Sequence, residues 1–158
     1  MLDRTDLIAY VGAVHARTFE AVALLRDEDL GWRPRAGEFT AAELVLHIAR
    51  ARRMNASAIE GLGWRYGGHH PPAGATLEGL REVVLRASKK TIAVLHAADL
   101  DAPVRLLSGG EAPRWRLVMG GLIEHEVHHR SQLCDYLGAI GLAPPPLYGL
   151  HAEDLPRR

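Results

Sequence analysis

Apolar residues return at steps of three and four along four stretches of the chain, the period of a helix with one buried face. In the first, Leu7, Val11, Val14, Thr18, Val22 and Leu25 form a stripe that ends near Arg26. Its start is expected near Asp6, whose short acidic side chain can accept from free helix amides. In the second, Leu44, His47, Ala51, Met54 and Ala58 share a face, and Thr40 with Glu43 three residues later makes a capping-box pattern. Thr76 caps the third, on which Leu77, Leu80, Val84, Ala87, Thr91 and Val94 lead to an end near Ala98. The fourth is expected from Pro113, acceptable in a first helical turn, to Leu137, with Val118, Gly121, Leu122, His125, His129, Gln132 and Tyr136 inward. Gly141 and Pro144-Pro145-Pro146 stop it.

Between these stretches the chain reads as connection. Residues 27–38 are polar and end in glycine and proline, with Trp32 as the residue that pins them to the body of the protein. Residues 61–75 are rich in glycine and proline and carry Trp64, Tyr66 and the pair His69-His70, with the aromatics as candidates to close a pocket mouth. Val104 to Leu107, ahead of Ser108-Gly109-Gly110, has the form of one arm of a hairpin whose return arm is weakened by Pro113. Four amphipathic helices most readily form an all-α, antiparallel four-helix bundle, and the long middle loop permits a crossed connection in place of a simple up-and-down order. A chain of 158 residues suits one domain over 1–158.

Composition narrows the function classes. Hydrophobic residues make up 47% and charged residues 24%, the balance of a soluble globular protein. No run approaches the roughly 20 apolar residues that span a bilayer. Met1-Leu2-Asp3-Arg4-Thr5-Asp6 leads into no uninterrupted apolar segment and does not read as a secretory signal, so a cytoplasmic location is the default expectation. Nineteen basic residues balance nineteen acidic ones, which leaves no overall field to gather nucleic acid or an acidic membrane. Arg50, Arg52 and Arg53, the densest basic cluster, read as a solvated helix face. Cys134 is the sole cysteine, so an internal disulfide and every paired-cysteine metal motif are excluded. Any metal must be held by nitrogen and oxygen.

The fourth stretch contains Glu124-His125-Glu126-Val127-His128-His129-Arg130-Ser131-Gln132-Leu133. On a helix His125 and His129 point from one face and reach one ion together, but two imidazoles do not close a site. His47, inward on the second helix, supplies a third nitrogen from a facing element. Three protein nitrogens leave open positions for water or substrate, the arrangement of a catalytic zinc centre, and nickel or iron accepts the same ligands. The competing reading is three core histidines, each separately hydrogen-bonded. His15 reads as packed or solvated and His96 as a helix-terminal cation, while His69-His70, in an open loop, either bind metal or, the favoured reading, are solvated. His128 is rotated about 100° from His129 and lies on the flank of the inner face.

The same residues spell His125-Glu126-Val127-His128-His129, the zinc-protease pattern in which the glutamate activates water. Such proteases take a third ligand downstream, whereas a proline stop dominates the short segment after His129. The longer version of the motif wants glycine where Gln132 stands and histidine where Asp135 stands. Proteolysis is therefore the least supported reading.

Trp32-Arg33-Pro34, Leu46-His47-Ile48-Ala49, the run His125 to Leu133, Tyr136-Leu137, Gly141 and Pro145-Pro146-Leu147-Tyr148-Gly149 together resemble the DinB family over most of the chain. The resemblance implies a four-helix bundle that binds a metal through His47, His125 and His129, commonly as a homodimer. The family's fourth-helix pattern reads His-x-x-x-His-Arg-Gly-Gln, and Ser131 here replaces its glycine. Relatives include thiol-dependent transferases and isomerases that use low-molecular-weight bacterial thiols, so the expected function is metal-dependent transfer or hydrolysis on a small molecule. In a hydrolytic variant Glu126 is the candidate catalytic group, positioning a water or a proton. Gly121, one turn before His125, either leaves room for substrate or serves close helix packing. Cys134 lies about 180° around the helix from His125 and is not the expected thiol. The alternative class is a metal-binding bundle without turnover, acting in a stress response or as a ligand-binding module.

Overall fold

A computed structural model describes residues 3–147 together with Gly149, Asp154 and Pro156. Tyr148 of the C-terminal motif and Met1-Leu2 of the N-terminal segment lie outside the described residues. The elements are α1 (Arg4–Ala23), a 3-10 turn (Asp27–Asp29), α2 (Ala41–Ile59), α3 (Leu77–Ala97), β1 (Pro103–Arg105), β2 (Glu111–Pro113), α4 (Arg114–Leu117), a π-helical segment (Val118–Glu124) and α5 (His125–Ala139). The three expected early helices are present, and the fourth is a single helical path with a π stretch inside it.

Local sequence accounts for most of the boundaries. At α2 the capping box closes as expected: Thr40 N donates to Glu43 Oε2 at 2.8 Å, and Glu43 N donates to Thr40 Oγ1 at 3.2 Å. Thr76 Oγ1 accepts from Gly79 N at the start of α3. α1 begins earlier than Asp6, at Arg4, because the Asp3 carbonyl already accepts from Leu7 N. Asp6 then falls in the first turn, where its charge suits the helix dipole. The hairpin is also present, with Val104 opposite Ala112. Pro113 is tolerated because it pairs with Pro103 at the open end of this two-stranded ribbon. Gly109 and Gly110, both at positive φ, make its turn.

The buried apolar residues fall into two clusters. One takes Val22 from α1, Leu44 and Ile48 from α2, Leu80 from α3, and Leu133 and Leu137 from α5. The other takes Val11 from α1, Ile59 from α2, Leu95 from α3, and Val118 and Leu122 from the π segment. The order in which each helix meets these clusters gives its direction. α1 and the last helical path run one way, while α2 and α3 run the other. The 60–76 connection must therefore return along the length of the bundle, which is the crossed arrangement allowed by its length. The fold is an all-α four-helix bundle carrying one small hairpin. Among the described residues no helix is long and apolar enough to cross a membrane.

Candidate metal centre

On every helix the stretch between the two apolar clusters carries polar residues. α2 contributes His47 near one edge of that layer, and α5 contributes His125 and His129. The three Nε2 atoms converge: His47 Nε2 lies 3.1 Å from His125 Nε2 and 3.0 Å from His129 Nε2. All three rings are half-buried. The trio expected from sequence is thus brought together, and it can hold a metal ion.

The far side of two rings fixes which nitrogen faces inward. His129 Nδ1 donates to Gln132 Oε1 at 3.1 Å, since a carbonyl oxygen can only accept. Gln132 Nε2 in turn donates to the Tyr136 hydroxyl at 3.3 Å, and that hydroxyl donates to the Phe39 carbonyl at 3.0 Å. His47 Nδ1 meets the Tyr66 hydroxyl at 2.7 Å, which accepts when Nδ1 carries the proton. Both arrangements leave an Nε2 lone pair aimed at the centre, the tautomer a metal ligand needs.

Electrostatics favour the neutral rings. Burial, reinforced by His129, His125 and His69, lowers the His47 pKa to about 4. Burial also lowers His125 to about 4, with His129 adding to it and Glu126 opposing. His129 is lowered by burial against the hydrogen bond to Gln132. Neutral imidazole is the ligating form, so the trio is ready for a metal near neutral pH. Nitrogens bound at about 2.0 to 2.1 Å stand about 3.3 to 3.4 Å apart in a tetrahedron and about 2.9 to 3.0 Å apart at adjacent octahedral positions. The two separations from His47, 3.0 and 3.1 Å, fall at and just above the octahedral value and short of the tetrahedral one.

Several residues around the trio depart from their sequence readings. The Phe39 ring lies 5.2 Å from that of His47, 4.7 Å from His69 and 6.5 Å from His129, so it walls one side. The returning 61–75 loop brings Tyr66 and His69 beside His47, and Arg50 Nη1 holds it by donating to the Gly67 carbonyl at 2.9 Å. His69 is half-buried there, not solvated as expected, whereas His70 is exposed but paired with Glu43. Trp64 is tied instead to the hairpin, through its donation to the Arg105 carbonyl. Trp32 does pin its loop, edge-on to Tyr136 at 5.1 Å.

Glu126 requires a correction. Its carboxylate is 2% exposed and binds Arg52 through both oxygens, at 2.7 and 2.6 Å, while Thr18 Oγ1 donates to Oε1 at 2.6 Å. Burial alone raises its pKa, but the charge and hydrogen bonds of Arg52, with His15 and Thr18, outweigh that and hold it low. Both oxygens are committed to the core, so a water-activating role is not supported. Arg52 is likewise buried, and of the expected solvated basic cluster only Arg53 is fully on the surface. His15 is packed, with Nδ1 2.9 Å from Ser88 Oγ.

Gly121 resolves toward packing. A Cβ there would overlap Asn55 Oδ1 and lie 2.7 Å from its Cγ. Asn55 Nδ2 donates to the Gly121 carbonyl at 3.1 Å and to the Ala51 carbonyl at 2.9 Å, so the glycine admits α2 to the π segment just before His125. His128 is exposed on the flank, its ring 4.8 Å from that of His129. Cys134 is half-buried, and burial raises its thiol pKa, the opposite of activation.

The sequence profile described as the DinB superfamily matches residues 10–133. The chain belongs to the DinB superfamily. Among solved structures, a DinB-like protein from Bacillus cereus ATCC 10987 superposes with a TM-score of 0.75 at 19% identity, covering 89% of this chain and 95% of that one. A second DinB-like protein, YjoA from Bacillus subtilis, gives 0.73 at 20% identity, over 90% of this chain and 96% of that one. At these identities they share the fold of this DinB chain. No curated protein matches it by sequence.

Phe39 is the part of the centre that sequence reasoning missed, and although Gln132 reads as inward and Tyr66 as a candidate for a pocket mouth, neither is assigned to a histidine by sequence. Gln132 carried a usable signal, since it stands three residues after His129 on the same face. Tyr66 and Phe39 lie in loops, where no period places a side chain.

Proposed function

We propose that this DinB protein holds one divalent transition metal on His47, His125 and His129, zinc foremost with nickel or iron as alternatives, and uses it in thiol-dependent transfer on a small molecule. The convergence of three Nε2 atoms, with those of His125 and His129 at 3.1 and 3.0 Å from that of His47, carries the reading. Such an ion supplies Lewis acidity that favours the thiolate form of a coordinated thiol near neutral pH. The chain's own residues orient its ligands: Tyr66 holds His47, and the path from Gln132 through Tyr136 to the Phe39 carbonyl holds His129. Phe39 supplies an apolar wall beside the centre. Hydrolysis is the weaker reading, because Glu126, the carboxylate expected to position a water, is locked onto Arg52.

Metal analysis of untagged protein beside His47→Ala and His129→Ala tests the site. At least one equivalent of metal in the parent, and about one equivalent less in each variant, is expected. Unchanged metal content in both variants overturns the assignment. Adding low-molecular-weight thiols to cobalt-substituted protein should change its visible spectrum, and an unchanged spectrum across such a panel overturns thiol chemistry.

A further inference from the structure

A second group of ligating side chains lies beside the first. Glu43, His69 and His70 each offer one ligand atom, and these atoms all lie within 4.8 Å of one another. We propose that these three residues form a second divalent-metal site, separate from the His47, His125 and His129 centre.

The carboxylate is fixed in advance. Glu43 Oε2 is occupied by the Thr40 backbone amide in the capping box, and Arg33 stands 3.9 Å from that same oxygen. Oε1 is left for the loop side, where His70 Nδ1 lies 2.9 Å away. That separation matches two donors at adjacent positions around one ion, about 2.9 to 3.4 Å for bonds near 2.0 to 2.1 Å. The Thr40 amide first, with burial opposing and His70 and Arg33 contributing, lowers the Glu43 pKa to about 2.

The loop delivers both imidazoles together. The His69 and His70 rings are 4.4 Å apart, and Arg50 Nη1 reaches the Gly67 carbonyl at 2.9 Å and the His70 carbonyl at 3.4 Å, which holds this part of the loop on α2. His69 also has Nδ1 3.4 Å from the Tyr66 hydroxyl, the group that meets His47 Nδ1. Ion binding would draw the loop imidazoles in from within 4.8 Å to bonding separation. Two imidazole nitrogens and one carboxylate oxygen suit a borderline divalent ion such as zinc, cobalt or nickel. A bare ion pair is the competing account of the Glu43 and His70 contact. At a His70 side chain 78% exposed such a pair contributes little to stability, and it does not involve the His69 nitrogen, which lies within 4.8 Å of the other two ligand atoms.

The site shares no ligand with the first centre, so the two are separable. The test is a titration of metal-stripped, untagged full-length protein with cobalt(II), followed by calorimetry and by visible absorption. Two equivalents are expected for the parent protein. His70→Ala and His69→Ala should each lose one, the equivalent of lower affinity, while circular dichroism confirms an unchanged helical content. His47→Ala should keep one equivalent, and His47→Ala combined with His70→Ala should keep none. That pattern supports the second site even if the first assignment fails, because the equivalent retained in His47→Ala disappears only with His70. A parent protein that binds one equivalent, insensitive to His69→Ala and His70→Ala, overturns the proposal. So does a parent that binds two, both of which survive these substitutions.

Discussion

Gln132 determines which nitrogen of His129 faces the other two histidines. Its side-chain oxygen accepts the Nδ1 proton at 3.1 Å, and its amide nitrogen is anchored to the Tyr136 hydroxyl at 3.3 Å. A carbonyl in that place excludes the tautomer with a protonated Nε2, which cannot ligate. Gln132→Leu keeps the side chain's approximate bulk but removes the acceptor, so the ring is free to adopt either tautomer. Metal affinity should fall about 10- to 100-fold, as it does when such outer partners of ligating histidines are removed. Competition against a chelator measures this directly. An affinity within twofold of the parent would show that packing alone orients the ring.

Among the elements, the π segment at Val118–Glu124 separates what periodicity can and cannot read. The 3.6-residue pattern located α1, α2 and α3 and placed His47, His125 and His129 inward, because side chains that must be buried leave a repeat. It does not report a π turn, since its inward residues, Val118 and Leu122, still fit a helical stripe. It also does not show how closely two backbones approach. Gly121 has Asn55 packed where a Cβ would stand, whereas a Cβ on its neighbour Gly120 would meet only Glu124 Oε2 at 4.0 Å. Gly121→Ala should therefore lower stability by about 1 to 3 kcal/mol, because helix α2 or Asn55 must shift and the two amide hydrogen bonds weaken. Gly120→Ala should be neutral or stabilise by up to about 1 kcal/mol through helix propensity. Urea midpoints of the two variants make the comparison, and equal values would remove the close-approach explanation. The crossed 60–76 connection is legible only as a length. That its return carries Tyr66, His69 and His70 past α2 results from the direction of α3, which no local pattern encodes.

At the scale of the whole molecule, the buried polar layer makes stability depend on pH. Charge balance and pattern suggested a solvated arginine face, yet Arg52 and Glu126 form an ion pair between the two apolar clusters, with His15 Nε2 3.5 Å from Glu126 Oε2. Sequence could not show this, because a buried charge is tolerated only through partners on other helices. His15 is 2% exposed, and its pKa is lowered from 6.5 to about 4, first by burial and then by the Arg52 charge, against the attraction of Glu126. Between these two values the unfolded chain binds a proton that the folded chain refuses, so stability rises with pH across that window. The contribution is fully present above pH 6.5 and is lost as pH falls toward 4. At full size it is worth about 3 kcal/mol, taking about 1.4 kcal/mol for each pKa unit. The metal-site histidines shift in the same direction, so the measurement uses the metal-free protein and a His15→Asn variant, in which their contribution is common to both. The parent's unfolding free energy should fall more steeply than that of His15→Asn between pH 6.5 and 4.5. Parallel curves would mean that His15 takes up its proton without disturbing the layer, with Glu126 stabilising the imidazolium enough to offset burial.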